Sequence, residues 1–248
     1  MELAIDINCD LGEGYANDAE LMRYISSANI ACGYHAGDAD TMKRTVDLAL
    51  VNGVAIGAHP GYHDREYFGR KAMSLTAPQI RDIVTTQIHD LGEIAEAAGA
   101  RLAHVKPHGA LYNQAARDRE IASAIAEAVL EFNRNLILFG LSGSFSISEA
   151  AKLGLQTASE VFADRTYQTD GTLTPRTEPN ALIKDADAAI TQVLDMIKYG
   201  RVRSVEAIMV PITADTVCIH GDGENAVEFA IAIRNELRSN AIEIRSIC

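Results

Sequence analysis

A seven-stranded parallel β/α barrel is the fold class this sequence predicts, and three observations predict it. Short apolar runs alternate with amphipathic helical patterns along the whole chain. Nearly every apolar run ends in a cluster of His, Asp, Glu, Lys or Arg. The length, 248 residues, is close to that of a single β/α barrel. Parallel strands joined by helices close well into a barrel, and catalytic groups then crowd the rim at the C-terminal strand ends. An open doubly wound sheet is the competing architecture. It normally carries a Gly-rich phosphate turn after the first strand. Here Asp10-Leu11-Gly12-Glu13-Gly14 stands in that place, and its two carboxylates would repel a pyrophosphate.

The elements follow in order. The first strand is read at residues 3–9 and the second at 28–32. Asp38 then caps a helix that runs through Asn52 and stops at Gly53. The third strand lies at 54–58. Thr76-Ala77-Pro78-Gln79 spells a capping box with Pro in the first turn, opening a long helix that ends at Gly99. A fourth strand at 101–106 precedes an alanine-rich helix from Asp118 to Asn133, with Ile121, Ile125 and Val129 at helical spacing. A fifth strand occupies 135–141. Ser146-Ile147-Ser148-Glu149 reads as a second capping box, for a short helix ending near Gly154. The sixth strand is at 155–161, and a helix from Pro179 to Tyr199 carries Ile190, Leu194 and Ile197 on one face. Ile208-Met209-Val210 is either an eighth short strand or a lead-in to the strand at 216–220, which Glu224 to Arg238 follows as the last helix. No linker, low-complexity tract or composition break interrupts this series, so residues 1–248 are read as one domain.

The net charge of −12 argues against nucleic acid and anionic membrane as partners. No run approaches the roughly 20 apolar residues of a membrane span, and the start of the chain has no basic segment followed by an apolar one, so no signal peptide is expected. The cysteines, Cys9, Cys32, Cys218 and Cys248, form no C-x-x-C pair. They read as small buried thiols of a cytoplasmic protein; Cys9 or Cys32 as a nucleophile would need a Cys–His pair.

The chemistry is concentrated at the strand ends. Asp10 and Glu13 can split acid and base roles or hold a metal. His35 lies in a Gly-flanked loop with Asp38, and His59 precedes the sharp Pro60-Gly61 turn. Asp10, His35 and His59 together are compatible with a divalent metal site, although three separate strands make the spacing undiagnostic. In Lys106-Pro107-His108-Gly109-Ala110-Leu111-Tyr112-Asn113, the proline makes the relation of Lys106 to His108 rigid. A lysine ending an apolar strand is costly to bury unless paired or used, and His108 suits general acid–base work. His104 reads as a packed residue, His89 as a solvent-face residue and His63 as a looser loop residue. Glu160 to Arg165 close the sixth strand, and the loop from Tyr167 to Pro179, with Asp170 and then Arg176, is long enough to be a lid. Two arginines near this rim suggest an anionic substrate group. His220-Gly221-Asp222 closes the last strand. Candidate catalytic residues are therefore Asp10, Glu13, Lys106, His108 and Asp164. Candidate substrate-binding residues are His35, His59, Asn113, Glu160, Arg165, Arg176 and His220. The chain has no P-loop and no G-x-S-x-G elbow, and the lack of Trp disfavours a sugar platform.

These motifs resemble the LamB/YcsF family. The resemblance rests on Asn8-Cys9-Asp10-Leu11-Gly12-Glu13-Gly14, Asn29-Ile30-Ala31-Cys32-Gly33-Tyr34-His35-Ala36-Gly37-Asp38, Ala58-His59-Pro60-Gly61-Tyr62 and Phe68-Gly69-Arg70. It continues through residues 105–113, Glu160-Val161-Phe162-Ala163-Asp164-Arg165 and Cys218-Ile219-His220-Gly221-Asp222, and so covers nearly the whole chain. It implies a seven-stranded barrel similar to that of metal-dependent carbohydrate deacetylases. It also implies hydrolysis of the 5-oxoproline lactam to L-glutamate, coupled to ATP hydrolysis with Mg²⁺, in a complex with two further subunits that would handle the nucleotide. Tyr34, Ala39, His63 and Asn180 depart from residues frequent in the family, and the change at His63 argues that this histidine is not a shared catalytic group. Two other functions compete: a metal-dependent amide or N-acetyl hydrolase built on Asp10, His35 and His59, and a non-catalytic ligand-binding protein that serves partner enzymes. Homo-oligomerisation is compatible with either.

Overall fold

A computed structural model describes residues 3–219 and 226–248. In chain order, the elements begin with β1 (Ala4–Leu11), α1 (Asp18–Leu21), β2 (Ser27–Ala31), α2 (Ala39–Asn52), β3 (Ala55–His59), α3 (Ala77–Ala97) and β4 (His104–Val105). They continue with α4 (Gly109–Arg117), α5 (Arg119–Phe132), β5 (Ile137–Leu141), α6 (Phe145–Lys152), β6 (Gln156–Phe162) and α7 (Ala186–Tyr199). The last are β7 (Arg201–Arg203), β8 (Met209–Pro211), β9 (Thr216–Ile219), α8 (Ala226–Ser239) and β10 (Glu243–Ile244). Strands β1 to β6 and β9 pair in parallel, and β1 closes on β9: Cys9 lies opposite Ala28 of β2 on one side and Ile219 of β9 on the other. This closure makes the sheet a barrel of seven strands and decides against the open doubly wound alternative.

Residues 208–210 are no eighth barrel strand. Met209–Pro211 pairs antiparallel with Arg201–Arg203 in a separate hairpin. The short β10, which carried no periodic signal, runs parallel to the start of β1. Two helix starts also differ from expectation. Ser144, not Ser146, precedes α6, and Glu149 does not reach back to a cap but pairs with Arg119 and Lys152. Helix α7 starts at Ala186 rather than Pro179, with Asp185 accepting from Ala188 N. Asp38 and Asp118 cap α2 and α5 as their residue types dictate, and Gln79 Oε1 accepts from Thr76 N at the start of α3.

Alternation along β1 builds the interior. Ile5, Ile7, Cys9 and Leu11 belong to the hydrophobic core under the helices. Asp6, Asn8 and Asp10 carry the polar contacts of the barrel interior. Asp6 accepts from Ser26, Ser27 and Thr216; Asn8 donates to Thr216 Oγ1 and accepts from Asn29. Asn29 Oδ1 lies 2.8 Å from His104 Nε2, whose ring stacks on Phe139 with centroids 4.2 Å apart. Gly57 is required beside that ring, because a Cβ there would sit 2.1 Å from His104 Nε2. His104 is therefore a packed residue of the barrel interior, and His89 is exposed on α3 beside Glu93.

Candidate active site

Backbone geometry at the C-terminal strand ends aims a dense polar cluster at the barrel mouth. Lys106 follows β4, and its backbone N donates to Ala58 O; two residues on, His108 N donates to Pro60 O. Strand pairing with β3 thus fixes both side chains relative to His59. The Lys106 ammonium lies 2.8 Å from Asp10 Oδ1 and 2.8 Å from Glu160 Oε1, and it also meets Asn8 Oδ1 and Cys218 Sγ. Burial alone would pull this lysine's pKa down, but the carboxylates of Asp10 and Glu160 and the Cys218 sulfur more than offset that, so it stays charged well above its ordinary value. Tyr112 is buried against Glu160, and burial followed by that carboxylate drives its phenol upward.

Beside the lysine stand three histidines and Glu13. The nitrogens of His35, His59 and His108 and the oxygen of Glu13 that face one another lie within 4.8 Å. His59 Nδ1 is 2.7 Å from Lys106 O, and His108 Nε2 is 2.8 Å from Phe68 O. A carbonyl only accepts, so both of these nitrogens carry protons. The opposite nitrogens, His59 Nε2 and His108 Nδ1, then present lone pairs to each other at 2.9 Å. Asp10 Oδ2 and Glu13 Oε1 face the same His59 nitrogen at 3.2 and 3.7 Å. Burial, then repulsion from the neighbouring imidazoles, pushes His108 well below its usual range and His35 down to about 2. Three imidazoles and a carboxylate whose ligand atoms converge form a donor set that fits a cation, and backbone carbonyls orient two of the rings as metal ligands are commonly oriented. His35 stacks on His108 at 3.8 Å, and its Nδ1 is buried with no hydrogen-bond partner among the described residues.

Phe68 holds this arrangement from outside. Its φ is +56°, a conformation bulky side chains rarely adopt, and it turns the Phe68 carbonyl toward His108. Gly69 follows at φ +62°, where a Cβ would lie 2.8 Å from His35 Cβ. Arg65 fastens the loop by donating to Gly33 O and Gly37 O.

A cavity of about 740 Å³ opens over the cluster. Asp10, Glu13, His59, Lys106 and His108 line it, as do Asn113, Arg165 and Arg176. His35 reaches the cluster through Glu13, and Glu160 lies buried against Lys106. Asp164 is half-buried and does not line the cavity. His220 and Asp222 lie outside the described residues. Arg165 is buried, donating to Ala181 O and Thr174 O, so it also fastens the loop that follows β6. Asp10 is not part of the cluster of converging metal-ligand atoms, which takes in Glu13 and His108 besides His35 and His59. Sequence reasoning missed Arg70 and Arg117 on the cavity wall. Arg70 sits in the Phe68-Gly69-Arg70 motif, but Arg117, the last residue of α4, had no strand-end signal to mark it.

The LamB/YcsF family profile matches residues 5–248. The chain belongs to the LamB/YcsF family. It is 51% identical over 248 residues to a 5-oxoprolinase subunit from Bacillus subtilis strain 168, covering 98% of this chain and 96% of that one. It also superposes on the lactam utilization protein from Thermus thermophilus with a TM-score of 0.93 and 41% identity, over 99% of this chain and 100% of that one. A family 4 carbohydrate esterase from Streptomyces lividans shares the barrel at a TM-score of 0.51 and 13% identity, covering 99% and 93% of the two chains, a likeness of fold alone. From the motifs that carry the family resemblance, Asp10, Glu13, His59, Lys106 and His108 line the cavity at the barrel mouth. No helix among the described residues is long and apolar enough to cross a membrane.

Proposed function

We propose that this chain is the ring-opening component of an ATP-dependent 5-oxoprolinase, converting the 5-oxoproline lactam to L-glutamate with two partner subunits. The relative from Bacillus subtilis, named for its place in a 5-oxoprolinase, supports the substrate and the multisubunit setting. The observation that carries the reading is the charged Lys106, held by Asp10 and Glu160 beside an unprotonated His108 Nδ1 at the floor of an arginine-walled cavity. A lactam is a poor electrophile. With no P-loop in this chain, ATP and Mg²⁺ are handled with the partners, which place a phosphoryl group on the lactam oxygen. Here His108 takes a proton from water, and the water oxygen bonds to the ring carbon. Lys106 stabilises the negative charge that develops there. The C–N bond breaks, the ring nitrogen takes up a proton to become the amine, and a second water hydrolyses the acyl phosphate left on the carbon, releasing inorganic phosphate and the glutamate carboxylate. Arg165 holds the substrate carboxylate with donors its two backbone bonds leave over, and Asp164 supports the Arg165 charge.

The test is reconstitution of the three subunits with 5-oxoproline, Mg²⁺ and ATP, following glutamate and ADP together. Glutamate should require this chain and should be lost in Lys106→Met. Wild-type glutamate formation by that variant would sink the reading.

The convergent lone pairs favour a second reading, a metal-dependent amide hydrolase. Glu13, His35, His59 and His108 would hold a divalent ion, which would polarise an amide carbonyl and acidify a water. Metal analysis of the purified chain before and after chelation, with hydrolysis of N-acetyl substrates in the absence of ATP, decides between the two.

A further inference from the structure

Asn29 of β2 is fully buried between the packed His104 ring and the floor of the cavity. Its amide Nδ2 donates to Asn8 Oδ1 at 2.7 Å and to Asp10 Oδ1 at 2.9 Å. Lys106 Nζ meets the same two oxygens, at 3.2 and 2.8 Å. Two buried donors, one neutral and one charged, thus face one pair of acceptors. A carboxamide nitrogen has only two protons, so Asn29 spends both on this pair.

The orientation of each amide follows from its neighbours. Thr216 gives its hydroxyl proton to Asp6 Oδ2, so Thr216 Oγ1 is left to accept from Asn8 Nδ2, and Asn8 Oδ1 turns toward Lys106. The Asp10 carboxylate, paired with Lys106, only accepts, so it must meet the nitrogen of Asn29 and not its oxygen. Asn29 Oδ1 is left for His104 Nε2, 2.8 Å away, which therefore carries the ring proton. His104 is held at this post by its stack on Phe139 and by the space that Gly57 leaves for it. Donors thus run in one direction, from His104 through Asn29 to Asp10. A lysine ammonium is a compact charge on a flexible stem and fixes no direction of its own. A planar amide with both ends tied does. With Oδ1 held from two sides, Asp10 presents Oδ2 to His59 Nε2 at 3.2 Å.

We propose that Asn29 is a positioning residue for ring opening: its amide holds Asn8 Oδ1 and Asp10 Oδ1 at the spacing that seats the Lys106 ammonium, and it keeps Asp10 Oδ2 aimed at His59. This role rests on the ring-opening reading, because Asn29 acts only through Asp10 and Lys106.

The reconstituted complex is assayed for glutamate with Asn29→Ala, Asn29→Ser and Ser27→Ala, each shown by urea unfolding to be folded under the assay conditions. Ser27 lies on the same strand and bonds the buried Asp6, so it controls for the loss of an interior hydrogen bond as such. Asn29→Ala should lower kcat about tenfold or more, the scale of small misplacements at a reacting centre. KM for 5-oxoproline should stay close to that of the wild type, since the loss is of orientation in the transition state. Asn29→Ser, which keeps one shorter donor, should fall between Asn29→Ala and the wild type. Ser27→Ala should keep the wild-type kcat. A crystal structure of Asn29→Ala should show the Asp10 carboxylate turned from His59 and Lys106 Nζ displaced. If Asn29→Ala does not fold, Asn29→Ser carries the same kinetic and crystallographic comparison. A wild-type kcat, a rise in KM alone, an equal loss in Ser27→Ala, or an unmoved Asp10–Lys106 pair overturns the role. Wild-type turnover by Lys106→Met sinks the ring-opening reading and this role together. Loss of turnover in Lys106→Met with Asn29→Ala unimpaired sinks the role alone.

Discussion

The two ends of the barrel interior are built from the same residue types and differ in what those residues lack. At the N-terminal end, Asp6 accepts from three hydroxyls, Asn8 and Asn29 bond each other, and His104 is fixed by Asn29 and Phe139. Each partner there has its own partner. At the C-terminal end, two imidazoles turn their protons outward to backbone carbonyls and leave lone pairs facing each other, and His35 buries an unpartnered nitrogen. A satisfied polar network stabilises a fold, whereas unmet lone pairs held in place by their surroundings await a proton, a metal or a substrate. The contrast separates structure from chemistry within a single strand, since β1 supplies Asp6 to one end and Asp10 to the other.

The sharpest way to break this contrast is Lys106→Met. It should lower glutamate formation by the complex by about 10²–10³, the usual cost of losing one donor to developing charge. It should also destabilise the chain by about 3–5 kcal/mol, because Asp10 and Glu160 lose a buried counter-charge; steady-state kinetics and urea unfolding measure the two. Next comes the histidine cluster. On the metal-hydrolase reading, cobalt or zinc titration should show one ion bound by the wild type, and His59→Ala with His108→Ala should weaken it by more than the about 10–100-fold that loss of an outer-shell partner costs; on the ring-opening reading no stoichiometric ion binds there. Visible absorption of the cobalt form reads this out without any turnover.

Thr216→Val probes the opposite end. It removes bonds to Asp6 and Asn8 and should cost about 1–3 kcal/mol with turnover unchanged. A fall in turnover like that of Lys106→Met would show the two ends to be one unit. A further effect, spread over several pH units, is in pH dependence. Burial, then the charge of Lys106, lowers His104 to about 3. Its folded pKa lies below its unfolded value, so the unfolded chain binds the extra proton. Stability is full above about pH 6.5 and falls by about 1.4 kcal/mol per unit below it, until the folded pKa is reached. His104→Gln should flatten that part of the slope in acid unfolding curves.

Much of this was legible in the sequence, for physical reasons that also set the limit. Strand ends are visible because apolar runs stop there, so Asp10, His59 and Lys106 were placed at the rim by position alone. The capping chemistry of Asp38 is local and read correctly. What needed three dimensions was grouping. That Glu13 and His108 join His35 and His59 follows from barrel closure and from which nitrogen each carbonyl claims, neither of which sequence spacing encodes. Arg117 ends a helix and Arg176 stands in a long loop, so no periodicity assigned them to a shared wall. Residues 208–210 were ambiguous because a three-residue apolar run pairs as readily in a hairpin as in a barrel.

Strand β4 is two residues long and shares only two registered pairs with each neighbour, whereas β2 and β3 share five. The machinery of Lys106 and His108 hangs directly from this narrowest seam. Local opening is cheapest where ladder contacts are fewest, so mild heat or denaturant should disconnect the chemistry while the remaining staves still hold. An enzyme built this way would fall silent well before its circular dichroism changed, and ligands that bridge the seam would widen its working temperature range.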